Sequence, residues 1–283
     1  MPSSPSASRS GAAAEQRAGR FGEAPPAMLI DSHCHLDAAE FDPDRDAVLA
    51  GARAAGVGGL VVPAVDAASF ARVEALAAAH PEVHGAFGIH PLYVDRALES
   101  DLELLAGRLA AGGAVAVGEI GLDNFVADAD PVRQGFFYVE QLKLARRFGL
   151  PVILHIRRAQ DAILKQLRRI EVPGGIAHAF NGSRQQAEMF IALGFKLGFG
   201  GAMSYEGSRR VRELAATLPL EAIVLETDAP DMPPAWAAGQ RNEPANVARY
   251  ATLLAELRGM AVDELIAITT ANARAVLPRL PLR

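Results

Sequence analysis

Five of the seven histidines in this 283-residue chain, His33, His35, His90, His155 and His178, fall at or near the ends of short apolar runs. Three carboxylates, Glu119, Glu226 and Asp228, sit in the same kind of place. Imidazole nitrogens and carboxylate oxygens ligate divalent metals, and they are also the groups that move protons near neutral pH. A lone histidine in such a position is more often a hydrogen-bonded core residue, and one His-x-His pair is weak evidence. The set as a whole reads differently. Buried together without a cation, these groups leave repelling carboxylates and unsatisfied nitrogens, each at a cost of a few kcal/mol.

The apolar runs that carry them alternate with helix-length segments. Strands are expected over 28–35, 59–64, 83–90, 114–122, 151–157, 175–180, 196–202 and 222–228. Between them the apolar spacing is helical, as in 132–148 with Phe136, Val139, Leu142 and Ala145. Gly56, Gly149 and Gly194 follow three such segments, where a left-handed cap favours glycine. Eight strand–helix units predict a single (β/α)8 TIM-type barrel over 28–283, with an extra helix at 261–276 completing the outer layer. The competing doubly wound sheet would carry a glycine-rich turn after its first strand, where this chain has DSHCHLD.

In a barrel the C-terminal ends of the strands form the catalytic face, which is where the polar set lies. Side chains two apart on a strand share a face, so His33 and His35 point inward and Cys34 outward. The same phase aligns Glu119 with Asp123, His155 with Arg157, and Glu226 with Asp228. His80 and His84 sit near a helix end and a strand start and read as structural.

Composition limits the function. Half the residues are hydrophobic, which gives a large core, and no stretch is long and apolar enough for a membrane span. A net charge of −5 argues against broad electrostatic binding to duplex nucleic acid. One cysteine excludes an intrachain disulfide framework and fits a reducing, cytoplasmic compartment. Residues 1–27, rich in Ala, Ser, Gly and Pro, are expected to be a disordered extension.

DSHCHLD at 31–37, GIHP at 88–91, GEIGLD at 118–123, PVILHIR at 151–157, AHAFNGS at 177–183 and ETDAP at 226–230 resemble the TatD family of metal-dependent deoxyribonucleases. The motifs run in family order from about residue 28 to 277. The resemblance implies that His33, His35 and Asp228 hold one divalent ion. Glu119 would bridge to a second ion held by His155 and His178, and His90 would contact substrate. The Asn124-Phe125 pair, IRRAQDA after His155 and the AHAF run depart from commoner family forms.

The ligand chemistry suits Zn²⁺ or Mn²⁺, while the family activity is associated with Mg²⁺. Such a site implies a monomeric hydrolase of DNA phosphodiesters, acting on single strands or frayed ends. Hydrolysis of a small amide, lactone or phosphoester is the alternative, and a non-catalytic binding module is a third reading. Asp228 and Glu119 are the catalytic candidates with His90, and Glu226 supports the eighth strand. Arg157 and Arg241 are candidates for a phosphate, against a salt bridge and a solvated loop cation respectively. Tyr93, Phe125, Tyr205 and Trp236 either stack unpaired bases or pack the loops.

Overall fold

In the computed structural model, which describes residues 28–281, all eight apolar runs contribute a parallel strand. They are β1 (Leu29–Asp31), β2 (Val57–Pro63), β3 (Val83–Ala86), β4 (Val117–Asp123), β5 (Val152–Arg157), β6 (Gly175–Ala177), β7 (Phe195–Phe199) and β8 (Ile223–Leu225). The extension expected over 1–27 lies outside the described residues. The α-helices are α1 (Arg45–Ala54), α2 (Phe70–Ala79), α3 (Ser100–Ala111), α4 (Pro131–Phe148), α5 (Gln160–Leu167), α6 (Arg184–Ala192), α7 (Arg209–Thr217), α8 (Asn246–Arg258) and α9 (Val262–Val276).

Local sequence explains the better-marked ends. The Asp130 carboxylate accepts from the amides of Val132 and Arg133, and Pro131 starts α4 where no amide donor is needed. Gly149 closes the same helix at φ 60°, the left-handed region that side chains avoid. Ser183 and Gln186 form a reciprocal capping box on α6.

Strands β1 to β3 pair in order, as do β4 to β8. A bridge between Phe87 and Val117 joins the two groups. Between the first and last strands, the Ser32 amide donates to the Leu225 carbonyl at 2.9 Å and the Asp228 amide to the His33 carbonyl at 2.9 Å. The architecture is a (β/α)8 barrel.

Several strands are shorter than the apolar runs suggest, because the chain leaves the ladder where it enters the polar face. β1 spans three residues and β8 stops at Leu225, before Glu226 and Asp228.

The core has two layers, as the two faces of each strand require. Leu60, Val62, Val152, Leu154 and Cys34 pack outward against the helices. Ile30, Val61, Ala86, Ile153, Ile176 and Val224 form a separate inner cluster with Ala273, Val276, Leu277 and Leu280. The final helix therefore does more than extend the outer layer: its C-terminal turn packs against the apolar filling of the barrel. Among the described residues no helix is long and apolar enough to cross a membrane.

Candidate metal centre

Inward-facing donors from the ends of β1, β4, β5, β6 and β8 converge at the mouth of the barrel. His33 Nε2 and His35 Nε2 are 3.2 Å apart. Glu119 Oε2 lies 3.2 Å from the first and 3.5 Å from the second. Asp228 Oδ1 approaches the same two nitrogens at 3.5 and 3.6 Å. The other oxygen of Glu119 is 3.0 Å from His155 Nδ1 and 3.6 Å from His90 Nε2. His178 stacks on His33 with ring centroids 3.7 Å apart, and its Nε2 is 3.6 Å from Asp228 Oδ1.

Three triads have ligand atoms close enough for one ion: His33–His35–Asp228, His33–Glu119–His178 and His90–Glu119–His155. The first is the set expected for one ion. The second expected pair is divided, for His178 groups with His33 and His155 with His90. His155 is engaged on both sides, by Asp123 Oδ2 at Nε2 and Glu119 at Nδ1, both at 3.0 Å, while His178 is stacked on His33.

The residues fit divalent cations. Imidazole nitrogens and carboxylate oxygens crowd one point in a buried pocket, with His33 Nε2 within 3.5 Å of His35 Nε2, Glu119 Oε2 and Asp228 Oδ1. Two stacked imidazoles cannot both be charged cheaply in that space. A bound cation would satisfy the ring nitrogens while leaving them neutral.

Burial pushes the Asp228 carboxyl up, but His178, His33 and His35 outweigh it and hold it at about 2. Burial drives His90 down to about 3 against the pull of Glu119, so its ring is neutral. The Leu92 amide donates to His90 Nδ1 at 3.1 Å, which leaves the ring proton on Nε2, the nitrogen that faces the centre.

Outer contacts fix the inner ones. Glu226 Oε1 lies 2.9 Å from His178 Nδ1 and accepts from the Ala179 amide at 2.6 Å. A β-carbon at Gly198 would fall 2.1 Å from that carboxylate, so β7 needs glycine there. Glu226 thus braces β6, beyond the end of β8.

Three positioning groups were not singled out by sequence reasoning. Asp123 shared the strand phase of Glu119, a signal that was available. Asp31 accepts from the Thr227 amide and hydroxyl at 2.9 and 2.6 Å across the β1–β8 seam. Asn242, fully buried, donates to the carbonyls of Thr227 and Asp231 and so ties down the turn that carries Asp228. Nothing in the local sequence marks the last two.

Arg241 is neither a phosphate cation nor a solvated one. It makes two bonds to Asp44, at 2.8 and 2.7 Å, and a third to Glu243. Arg157 is exposed and forms no ion pair among the described residues; its guanidinium lies 3.7 Å over the Phe125 ring. Of the four rim aromatics only Phe125 lines the cleft, a space of about 950 Å³. Tyr205 donates to the Pro233 carbonyl and Trp236 to Asn246, so both pack loops.

Asp31 supplies a test of the seam. Complete burial pushes its carboxyl up to about 8, against the bonds from Thr227. The folded state therefore keeps a proton that the unfolded chain releases near pH 4, and stability falls as pH rises from there to about 8. Asp31→Asn keeps an acceptor for the amides of Thr227 and His33 and a donor for the Thr227 hydroxyl, without the ionisation. In chelator-treated protein, the variant is expected to gain about 1 kcal/mol or more on wild type between pH 6 and 9. Denaturant titrations at both pH values measure this, and a constant difference would refute it.

The chain matches the family model described as TatD related DNase over residues 30–278. It is 46% identical over 240 residues to the uncharacterized metal-dependent hydrolase YjjV of Escherichia coli K12, covering 84% of this chain and 93% of the relative. The crystal structure of YjjV, described as a TatD homolog, superposes with a TM-score of 0.86, covering 89% of this chain and 98% of that one. Another relative, the 3'-5' ssDNA/RNA exonuclease TatD of Erwinia tasmaniensis, is 32% identical over 255 residues, covering 87% of this chain and 98% of its own. Matching that family model along almost all of its described length, the chain belongs to the TatD family.

Proposed function

We propose that this protein is a divalent-metal-dependent hydrolase of nucleic-acid phosphodiesters, acting on single-stranded DNA or frayed ends. The observation that carries the reading is the convergence of Glu119 with His33, His35, His90 and His155 within 3.6 Å, with Asp228 beside them. His33, His35 and Asp228 would hold one ion. Glu119 would reach both it and a second ion, which His155 would hold with His178, the latter turning from its place beside His33. Divalent ions so held would acidify an attacking water and offset charge on the phosphoryl oxygens.

The chain's own groups then have separate tasks. Asp228 stays ionised because three imidazoles face it, so it would orient the attacking water as an acceptor, its low basicity leaving acidification of that water to a bound cation. His90, neutral with its proton on Nε2, donates toward the phosphate or the departing oxygen. Asp123 and Glu226 hold His155 and His178 in orientation from the far side. The names of relatives lend weight to a nucleic-acid substrate, since one is called a single-strand DNA and RNA exonuclease.

The test is cleavage of end-labelled single-stranded and duplex oligonucleotides, before and after chelation, with Mg²⁺, Mn²⁺ or Zn²⁺ restored one at a time. Single strands are expected to be shortened, with the activity falling at least about 100-fold on metal removal. Hydrolysis of small esters or lactones with oligonucleotides left intact would transfer the reading to a small-molecule hydrolase.

A further inference from the structure

The cleft is lined by both signs of charge. The carboxylates Glu119, Asp123, Asp228 and Asp231 share it with Arg157 and Arg158 at the end of β5 and Arg210 in α7. Among the described residues none of these three arginines pairs with an acid, unlike Arg45, Arg53, Arg72, Arg108 and Arg241. In a chain with five excess negative charges, three guanidinium groups lining one cleft without an acidic partner are a local concentration of positive charge.

Each of the three is held in place by neutral contacts. Arg157 and Arg158 lie over the ring of Phe125, at 3.7 and 4.6 Å from its centre. The Phe125 amide in turn donates to Asp123 Oδ1 at 2.8 Å, which anchors that loop to the β4 end. Asn124 donates to the Arg158 carbonyl, closing the loop onto the residue after β5. Arg210, at the start of α7, makes two bonds to Asn181 Oδ1 at 3.2 and 2.9 Å. A carbonyl oxygen orders a guanidinium without cancelling its charge. Ordered, charged and acid-free arginines at a cleft wall are what a phosphate oxyanion binds.

Register sets the level of Arg157 relative to the centre, and Arg158 shares its Phe125 contact. Gly121 pairs with His155 and Asp123 with Arg157, so Arg157 sits one two-residue step above His155. That step is about 6–7 Å along a strand, comparable with the spacing of successive phosphates in an extended single strand. We infer that Arg158 and Arg210, with Arg157 and Phe125, form a second phosphate subsite, which takes the phosphate next to the scissile one in a single-stranded oligonucleotide. This rests on the phosphodiester reading above and adds a minimum length: the substrate carries at least two phosphates.

Binding tests it without requiring turnover. Fluorescence anisotropy of labelled single-stranded oligonucleotides would be measured on the full chain, for wild type, Arg158→Ala, Arg210→Ala and the double variant. Each substitution is expected to weaken binding about tenfold. Each should also reduce the slope of log affinity against log salt by about 0.7. An oligonucleotide with uncharged methylphosphonate links flanking the scissile one should bind wild type and double variant alike. Arg210→Lys, which keeps the charge, should recover part of the loss. Equal affinity of wild type and variants for the charged strand would overturn the subsite. So would an equal loss on the neutral one, since a merely structural role moves both. If arginine-dependent binding appears but no strand is cut, the catalytic reading fails and the subsite stands.

Discussion

Replacing Glu119 by Gln is expected to lower kcat/KM by about 1,000-fold or more and to leave the fold intact. The carboxylate is buried at the centre of the cluster, with one oxygen facing His33 and His35 and the other facing His155 and His90. Gln has the same shape but turns an amide NH₂ toward two of those rings and removes the charge that would balance a cation. The carboxylate faces imidazoles rather than forming part of the apolar clusters, so the chelated variant should still unfold in one cooperative thermal transition. The readouts are kcat/KM on an oligonucleotide and metal content by mass spectrometry. Full metal occupancy with more than a tenth of the wild-type rate would show that Glu119 is not the shared ligand.

Asp228→Asn separates a proton acceptor from a ligand. The amide oxygen still faces His33, His35 and His178, so metal content should fall less than in the Glu119 variant. An amide cannot take a proton from water, so kcat should drop by about 100- to 10,000-fold with KM little changed. His178 and the β1 histidines hold the wild-type carboxyl at about 2, so wild type should show no acid limb from this group near neutrality. A raised KM with kcat preserved would instead assign Asp228 to substrate binding.

Much of the site was legible in the sequence because strand periodicity links spacing to direction. His33 and His35, and the phase shared by Glu119 and Asp123, followed from it. At Glu226 and Asp228 the same rule was applied where it does not hold. β8 has ended, Asp228 has φ 58°, and Thr227 between them bonds to Asp31. The two carboxylates reach the centre through turn geometry, Glu226 by way of His178.

Contacts distant in sequence were invisible. Arg241 meets Asp44 from 197 positions away, and no local pattern announces that pairing. The inward packing of α9 was hidden for the same reason. Amphipathic spacing shows that a helix has an apolar side but not which layer receives it.

The seam between β1 and β8 has a further consequence, for how the centre comes into being. Asp31 and Thr227 are 196 residues apart, and the backbone bond from Asp228 to His33 spans almost the same distance. His33, His35 and Asp228 are therefore brought together by a contact of long loop closure, which carries a large entropic cost. During synthesis the β1 histidines emerge early and wait for the last strand. A nascent or clipped chain that stops before β8 has two of the three members of that triad and cannot complete it. The proposed metal site is thereby withheld until the ring is shut, so the same hydrogen bonds that complete the fold also complete the ligand set.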